Sequence, residues 1–250
     1  MLPPRRRGAI ARAVLAPFVA YAALFAASTL SLLILAVLRG HGADIHLQLI
    51  LTTSAVRRLM RELSPDGVVL SQILGEAATI VAMGLWLRKD VRLADILDRR
   101  PRLGDLGFGL MATGGLLVLV EVIGIILLLL HAVQGSLTQR AFVQGIGPPW
   151  LLLLMAIVAG FAEETTFRGY VLRSLRSLLP SRMIWLAIIL ESAIFAAFHL
   201  GWGLAPGPFV VIFAIGVALS LLVLRSNIYI AMVAHAGYDT IAFLIALHVR

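Results

Sequence analysis

WLLLLMAIVAGFAEETTFRGY, Trp150 to Tyr170, is the stretch on which the fold turns. Its first twelve residues carry no charge, and then Glu163, Glu164 and Arg168 fall within six positions. An ionisable residue inside a membrane span costs about 2.5–3.5 kcal/mol on insertion scales, so three of them at the end of an apolar run need a reason. The run reads as a membrane helix with a polar function built into it.

The rest of the chain agrees. Of 250 residues, 60% are hydrophobic and 14% charged, with a mean hydropathy of +0.98. A soluble domain is nearer half apolar and about a quarter charged. Apolar runs of the roughly 20 residues that cross a bilayer recur along the chain. Seven spans are predicted, at 13–38, 68–87, 106–132, 150–172, 183–204, 208–224 and 228–248. The fold class is therefore all-α, a polytopic transmembrane helical bundle forming a single integral membrane domain over 1–250. Between the first two spans, HLQLILTTSAVRRLMREL (46–63) puts Leu49, Val56, Leu59, Met60 and Leu63 near one helical face with Arg57, Arg58 and Arg61 beside them. It reads as an interfacial amphipathic helix. A re-entrant element or half of an eighth span fits the same pattern.

The net charge of +8 comes from arginines beside a single lysine, Lys89, and most of these residues flank apolar runs. That distribution suits lipid headgroups and orientation, and argues against a nucleic-acid partner. Basic residues gather at the N-terminus (Arg5, Arg6, Arg7, Arg12), after span two (Arg88, Lys89, Arg92, Arg99, Arg100, Arg102) and at the end of span four (Arg173, Arg176, Arg182). The alternate loops are poor in them, which places the N-terminus in the cytoplasm. The arginines of 46–63 dissent, and seven spans leave Arg250 outside. The first apolar run, Ala13 to Leu38, is too long for the roughly 7–15 residues of a signal h-region, so an uncleaved first span is expected. Without cysteine, no disulfide, thiolate zinc site or thiol nucleophile is possible.

The ionisable residues inside the predicted spans that need a reason are Glu76, Glu121, Glu163, Glu164, Arg168, Glu191, His199, His235 and Asp239, while His131 and His248 sit at span ends. Seven of them lie in spans four, five and seven, which points to a built polar site. On an α-helix Glu164 and Arg168 stack at i and i+4 with the acid first, the favourable order for an ion pair. Glu163 lies about 100° round the helix, so the adjacent acids divide the work: Glu164 pairs with Arg168 and Glu163 faces an interior cavity. Phe195 and His199 in FAAFH, and His235 and Asp239 in HAGYD, are again one turn apart. A carboxylate one turn from an imidazole orients the ring, sets its tautomer or joins it on a metal. Glu163 and the two histidines supply a base and two imidazoles from three spans, the parts that water-activating hydrolysis needs. Glu163 and His235 both come out about 15 Å from a core edge, while His199 sits about 21 Å from the cytoplasmic side, several ångströms too deep. Glu76 and Glu121 read either as partners of the site's residues or as protonated groups hydrogen-bonded between helices, and Glu191, two turns before His199, lies within reach of the site.

EETTFR (163–168), FAAFH (195–199) and HAGYD (235–239), in this order on late membrane helices, resemble the EExxxR, FxxxH and HxxxN/D motifs of the CPBP intramembrane proteases. These are relatives of the type II CAAX prenyl protease and of bacteriocin-processing or self-immunity membrane proteins. The resemblance covers about 145–245, a protease core, and leaves 1–132 as accessory spans. It implies an endopeptidase that cuts a membrane-associated or lipid-modified peptide or protein in a bacterial inner membrane. Glu163 would be the general base for a water, with His199 holding or deprotonating it. His235 and Asp239 would stabilise the oxyanion, and Glu164 with Arg168 would be the supporting ion pair. Asp239 departs from the amide of the prenyl protease, since an ionised aspartate donates no hydrogen bond.

The family is often labelled metallo, and Glu163, His199, His235 and Asp239 would be the ligands of a divalent metal such as zinc, whose usual donors they are. Glutamate-activated water needs no ion, and HExxH is missing, so both readings stay open with metal-independent chemistry slightly ahead. Two other functions compete: a non-catalytic membrane scaffold, immunity or regulatory protein of the same fold, and a proton-coupled transporter, because buried Glu and His chains also mark proton paths. Neither paired broken helices nor an inverted repeat supports transport.

Overall fold

A computed structural model describes residues 4–38, 65–87, 93–97, 99–131, 148–199 and 206–248. The predicted interfacial helix at 46–63 lies outside the described residues. Those described are helical, without strands. In order they form α1 (Pro4–Leu38), α2 (Pro65–Leu87), the single turn α3 (Leu93–Ile96), α4 (Leu103–Leu129) and α5 (Pro149–Glu163). A π-helical segment, Glu164–Leu172, then leads into α6 (Arg173–Leu178). A 3₁₀ turn at Ser181–Met183 precedes α7 (Ile184–Phe198), α8 (Pro206–Arg225) and α9 (Ile228–His248).

Seven of these elements are long and apolar enough to cross a membrane, α5, the π segment and α6 counting as one span from Pro149 to Leu178. Large apolar side chains such as Phe18, Met111, Trp150 and Ile157 point outward. A soluble protein would hide such a surface, whereas a bilayer solvates it. The protein is an integral membrane protein.

Helix pairs are joined by apolar contact and a few hydroxyls. Thr79 on α2 donates to the Ala20 carbonyl on α1, and Thr113 on α4 donates to Ala234 on α9. Two glycines let backbones approach at the points that matter for the site. A Cβ on Gly160 of α5 would come 3.0 Å from both the Met232 carbonyl and the Ala236 nitrogen of α9. A Cβ on Gly216 of α8 would meet Ser192 of α7 at 2.9 Å. Small residues at such crossings are how membrane helices pack closely.

The π segment is the centre of the bundle. All nine of its residues are buried, and it packs against α1, α2, α3 and each helix from α5 to α9. π winding is rare and concentrates at functional sites. Its sequence, ETTFRGYVL, holds no proline that would force it. The sequence predicted ordinary α-helix here, ending at 172; the span instead runs to Leu178.

Candidate active site

α5 starts from Pro148 and Pro149, the second sitting where its missing N–H costs nothing. It delivers Glu163 and Glu164 to the junction with the π segment. Glu163 stands fifteen residues before the end of α6 at Leu178, and His199 fifteen residues after the start of α7 at Ile184. In an antiparallel hairpin, positions equally far from the turn face each other, so Glu163 and His199 meet. The depth mismatch expected from the sequence disappears because span four is six residues longer than predicted.

His199 Nε2 and His235 Nε2 each lie 3.8 Å from Glu163 Oε2, and His235 Nε2 is also 3.6 Å from Asp239 Oδ2. These separations are too long for direct hydrogen bonds. Glu163 Oε2 accepts none from the protein. The opposite ring nitrogens are committed: His199 Nδ1 lies 2.9 Å from the Phe195 carbonyl, and His235 Nδ1 lies 2.8 Å from Glu164 Oε1. Both partners only accept, so both Nδ1 atoms carry the proton and both Nε2 atoms face Glu163.

Behind this cluster lies a fully enclosed ion network. Arg168 Nη1 is 3.1 Å from Glu164 Oε1 and its Nε is 3.5 Å from Glu191 Oε1, with all three side chains at 0% exposure. Arg168 Nη2 donates to the Gly216 carbonyl, and the guanidinium lies over Phe195, 4.3 Å from the ring centroid. Ser192 and Ser220 both donate to Glu191. Arg168 Nε, Glu164 Oε2 and Glu191 Oε1 find no hydrogen-bond partner among the described residues, so the set leans on charge attraction to offset the cost of burial. Phe195 also packs edge-on to both histidine rings, so one aromatic ring fixes the arginine and the imidazoles together.

The six residues singled out in the sequence, Glu163, Glu164, Arg168, His199, His235 and Asp239, thus share one site. Two expectations change. The adjacent glutamates do not separate cleanly: Glu164 pairs with Arg168 as expected, but both acids also face His235, one at each ring nitrogen. Glu121 lies on an exposed face of α4 rather than between helices. Glu76 is buried, with Gln72 donating to it. Glu191 belongs to the ion network, and Ser220 and Gly216 were not read from the sequence as site residues. Ser220 is the one hydroxyl in α8, a signal that was available.

The donor types suit zinc, whose histidine ligands commonly pass their second N–H to a carboxylate or carbonyl as His235 and His199 do. Among the described residues, however, no three His, Asp or Glu side chains stand where one ion would be held. The arrangement as it stands does not fit a metal.

Fold and site define an integral membrane protein with a partly buried Glu/His cluster between its helices. Residues 145–241 match the family model described as Type II CAAX prenyl endopeptidase Rce1-like. That match supports membership of the CPBP family, the family that the order of the three motifs resembles. No curated protein and no solved structure matches the chain.

Proposed function

We propose that the protein is an intramembrane endopeptidase that hydrolyses a peptide bond in a membrane-associated or lipid-modified protein. The observation that carries this reading is the convergence of Glu163 Oε2 with two imidazole Nε2 atoms at 3.8 Å each. A spacing just beyond hydrogen-bond reach between acceptors suits a bridging water, which donates to two of them at once. Glu163 removes a proton from that water as it attacks the substrate carbonyl, and His199 Nε2 accepts its other hydrogen bond and keeps it on line. The same proton then passes from Glu163 to the departing amine, so the carboxylate ends as it began. His235, its Nδ1–H held by Glu164, presents Nε2 to the reacting centre and, when doubly protonated, donates it to the oxyanion. Asp239 steadies that imidazolium, the role left to a residue that donates no hydrogen bond of its own when ionised. The Arg168 network sets the position of Glu164 and, through it, of His235.

The basic ends of the spans support an N-terminus in the cytoplasm, and the reading takes the membrane to be a bacterial inner membrane. Cleavage of a panel of quenched fluorescent peptides, lipidated and plain, by protein in nanodiscs tests the reading. Wild type is expected to cut at least one lipidated or apolar peptide, with or without chelator. His199→Ala is expected to lose about 10²–10⁴-fold of that rate. Full activity of a folded His199→Ala protein would remove the proposed water site. Loss with chelator would show that a metal is needed.

A further inference from the structure

At one end of the bundle lies a cavity of about 290 Å³ that none of Glu163, His199, His235 and Asp239 lines. It forms where α3, α6 and the turn between α8 and α9 come together. Four arginines line it, Arg99, Arg168, Arg173 and Arg176, and among the described residues no acidic side chain does. Two of these charges are already balanced: Arg99 by Asp105 at 2.6 Å, and Arg168 by Glu164 and Glu191. Arg173 and Arg176 form no ion pair among the described residues, and Arg173 is held in place by donating Nη1 to the Asp95 carbonyl at 2.7 Å. The rest of the wall is largely apolar, with Ile96, Leu172, Val223, Leu224 and Ile228. Both unpaired arginines stand on the helix that ends the fourth span, where the chain leaves the hydrocarbon.

A cationic mouth over an apolar wall, at the level of a membrane surface, fits an amphiphile with an anionic head. We propose that this cavity binds the phosphate headgroup of an anionic phospholipid, with Arg173 and Arg176 on the phosphate and the apolar wall against the glycerol and first acyl carbons. Arginine's planar fork suits phosphate oxygens. Basic pockets between membrane helices on the cytoplasmic side are the usual form of such sites. Free phosphate would use the two arginines and leave the apolar wall unexplained. The proposal does not depend on the peptidase reading.

Thermal unfolding of the full chain in a neutral detergent tests it, with dioctanoyl phosphatidylglycerol, dioctanoyl phosphatidylcholine and glycerol phosphate as separate probes. The expected result is a saturable rise in melting temperature with phosphatidylglycerol alone. The double variant Arg173→Gln/Arg176→Gln is expected to bind about 25-fold more weakly, from about fivefold per arginine. Arg176→Gln alone is expected to bind about fivefold more weakly, which keeps the test open should the double variant fold poorly. Arg182→Gln, which alters an exposed arginine outside the cavity, is expected to behave as wild type. Equal stabilisation by glycerol phosphate would make this a free-anion site and overturn the lipid assignment. Equal responses from wild type and both cavity variants would overturn the site itself.

Discussion

Replacing Arg168 with methionine isolates the energetics of the buried network. Methionine roughly fills the volume but leaves Glu164 and Glu191, both 0% exposed, without their cation. Breaking a buried ion set by removing one partner costs about 3–5 kcal/mol, because the charge left behind has neither water nor a counter-ion. The lost hydrogen bond to the Gly216 carbonyl and the contact with Phe195 act in the same direction. At roughly 2–4 °C per kcal/mol for a chain of this size, Arg168→Met is expected to melt about 6–20 °C lower. The triple variant Arg168→Met/Glu164→Gln/Glu191→Gln removes the charge set altogether. Replacing a whole buried ion set is often neutral or nearly so, so most of the loss should return. Circular dichroism and tryptophan fluorescence melts in one detergent read all three proteins. A single variant within about 1 kcal/mol of wild type, or a triple variant no more stable than the single, would refute the account of a buried network held by its arginine.

Gly160→Val places a branched side chain against the α9 backbone and pushes the helix carrying His235 away from Glu163. A misplacement near 1 Å costs about 10²-fold in rate; kcat in nanodiscs should fall by that order while helix content holds, and an unchanged kcat would show that this crossing does not set the site. Gly216→Ala brings a methyl within 2.9 Å of Ser192 Cβ, and overpacking of about 1–3 kcal/mol is expected in a denaturant titration; a change below about 0.5 kcal/mol would contradict the tight α7–α8 crossing. Asp239→Asn supplies an amide donor beside His235 Nε2. It also removes the charge that steadies the His235 imidazolium, so kcat/KM is expected to fall about tenfold or more, whereas a value that holds or rises would show that the aspartate charge is not what this corner supplies.

Much of the fold was legible in the sequence because a bilayer forces its solution: uncharged runs of about 20 residues must become helices. The count of seven and the pairing of Glu164 with Arg168 followed from that and from i,i+4 spacing. The π winding did not, since ETTFRGYVL carries no proline or other local signal for it and lies buried against eight other helices. The apparent misfit of His199 had the same root. The span was ended at 172, where the arginines begin, whereas Arg173 and Arg176 continue the helix into the interface. Glu191 was visible as a buried acid, but its partner could not be read, because Arg168 reaches it only when α7 and the π segment are packed together.

The most direct test of the central claim is the turnover of Glu163→Gln in nanodiscs, set beside its melting temperature and beside Glu164→Gln. Glutamine keeps the shape of Glu163 but takes no proton from water. The expected result is a fall of about 10²–10⁴-fold in kcat with an unchanged melting temperature, while Glu164→Gln loses stability as well as activity. Cleavage by a folded Glu163→Gln protein at the wild-type rate would contradict the account and leave the cluster as a polar contact between helices.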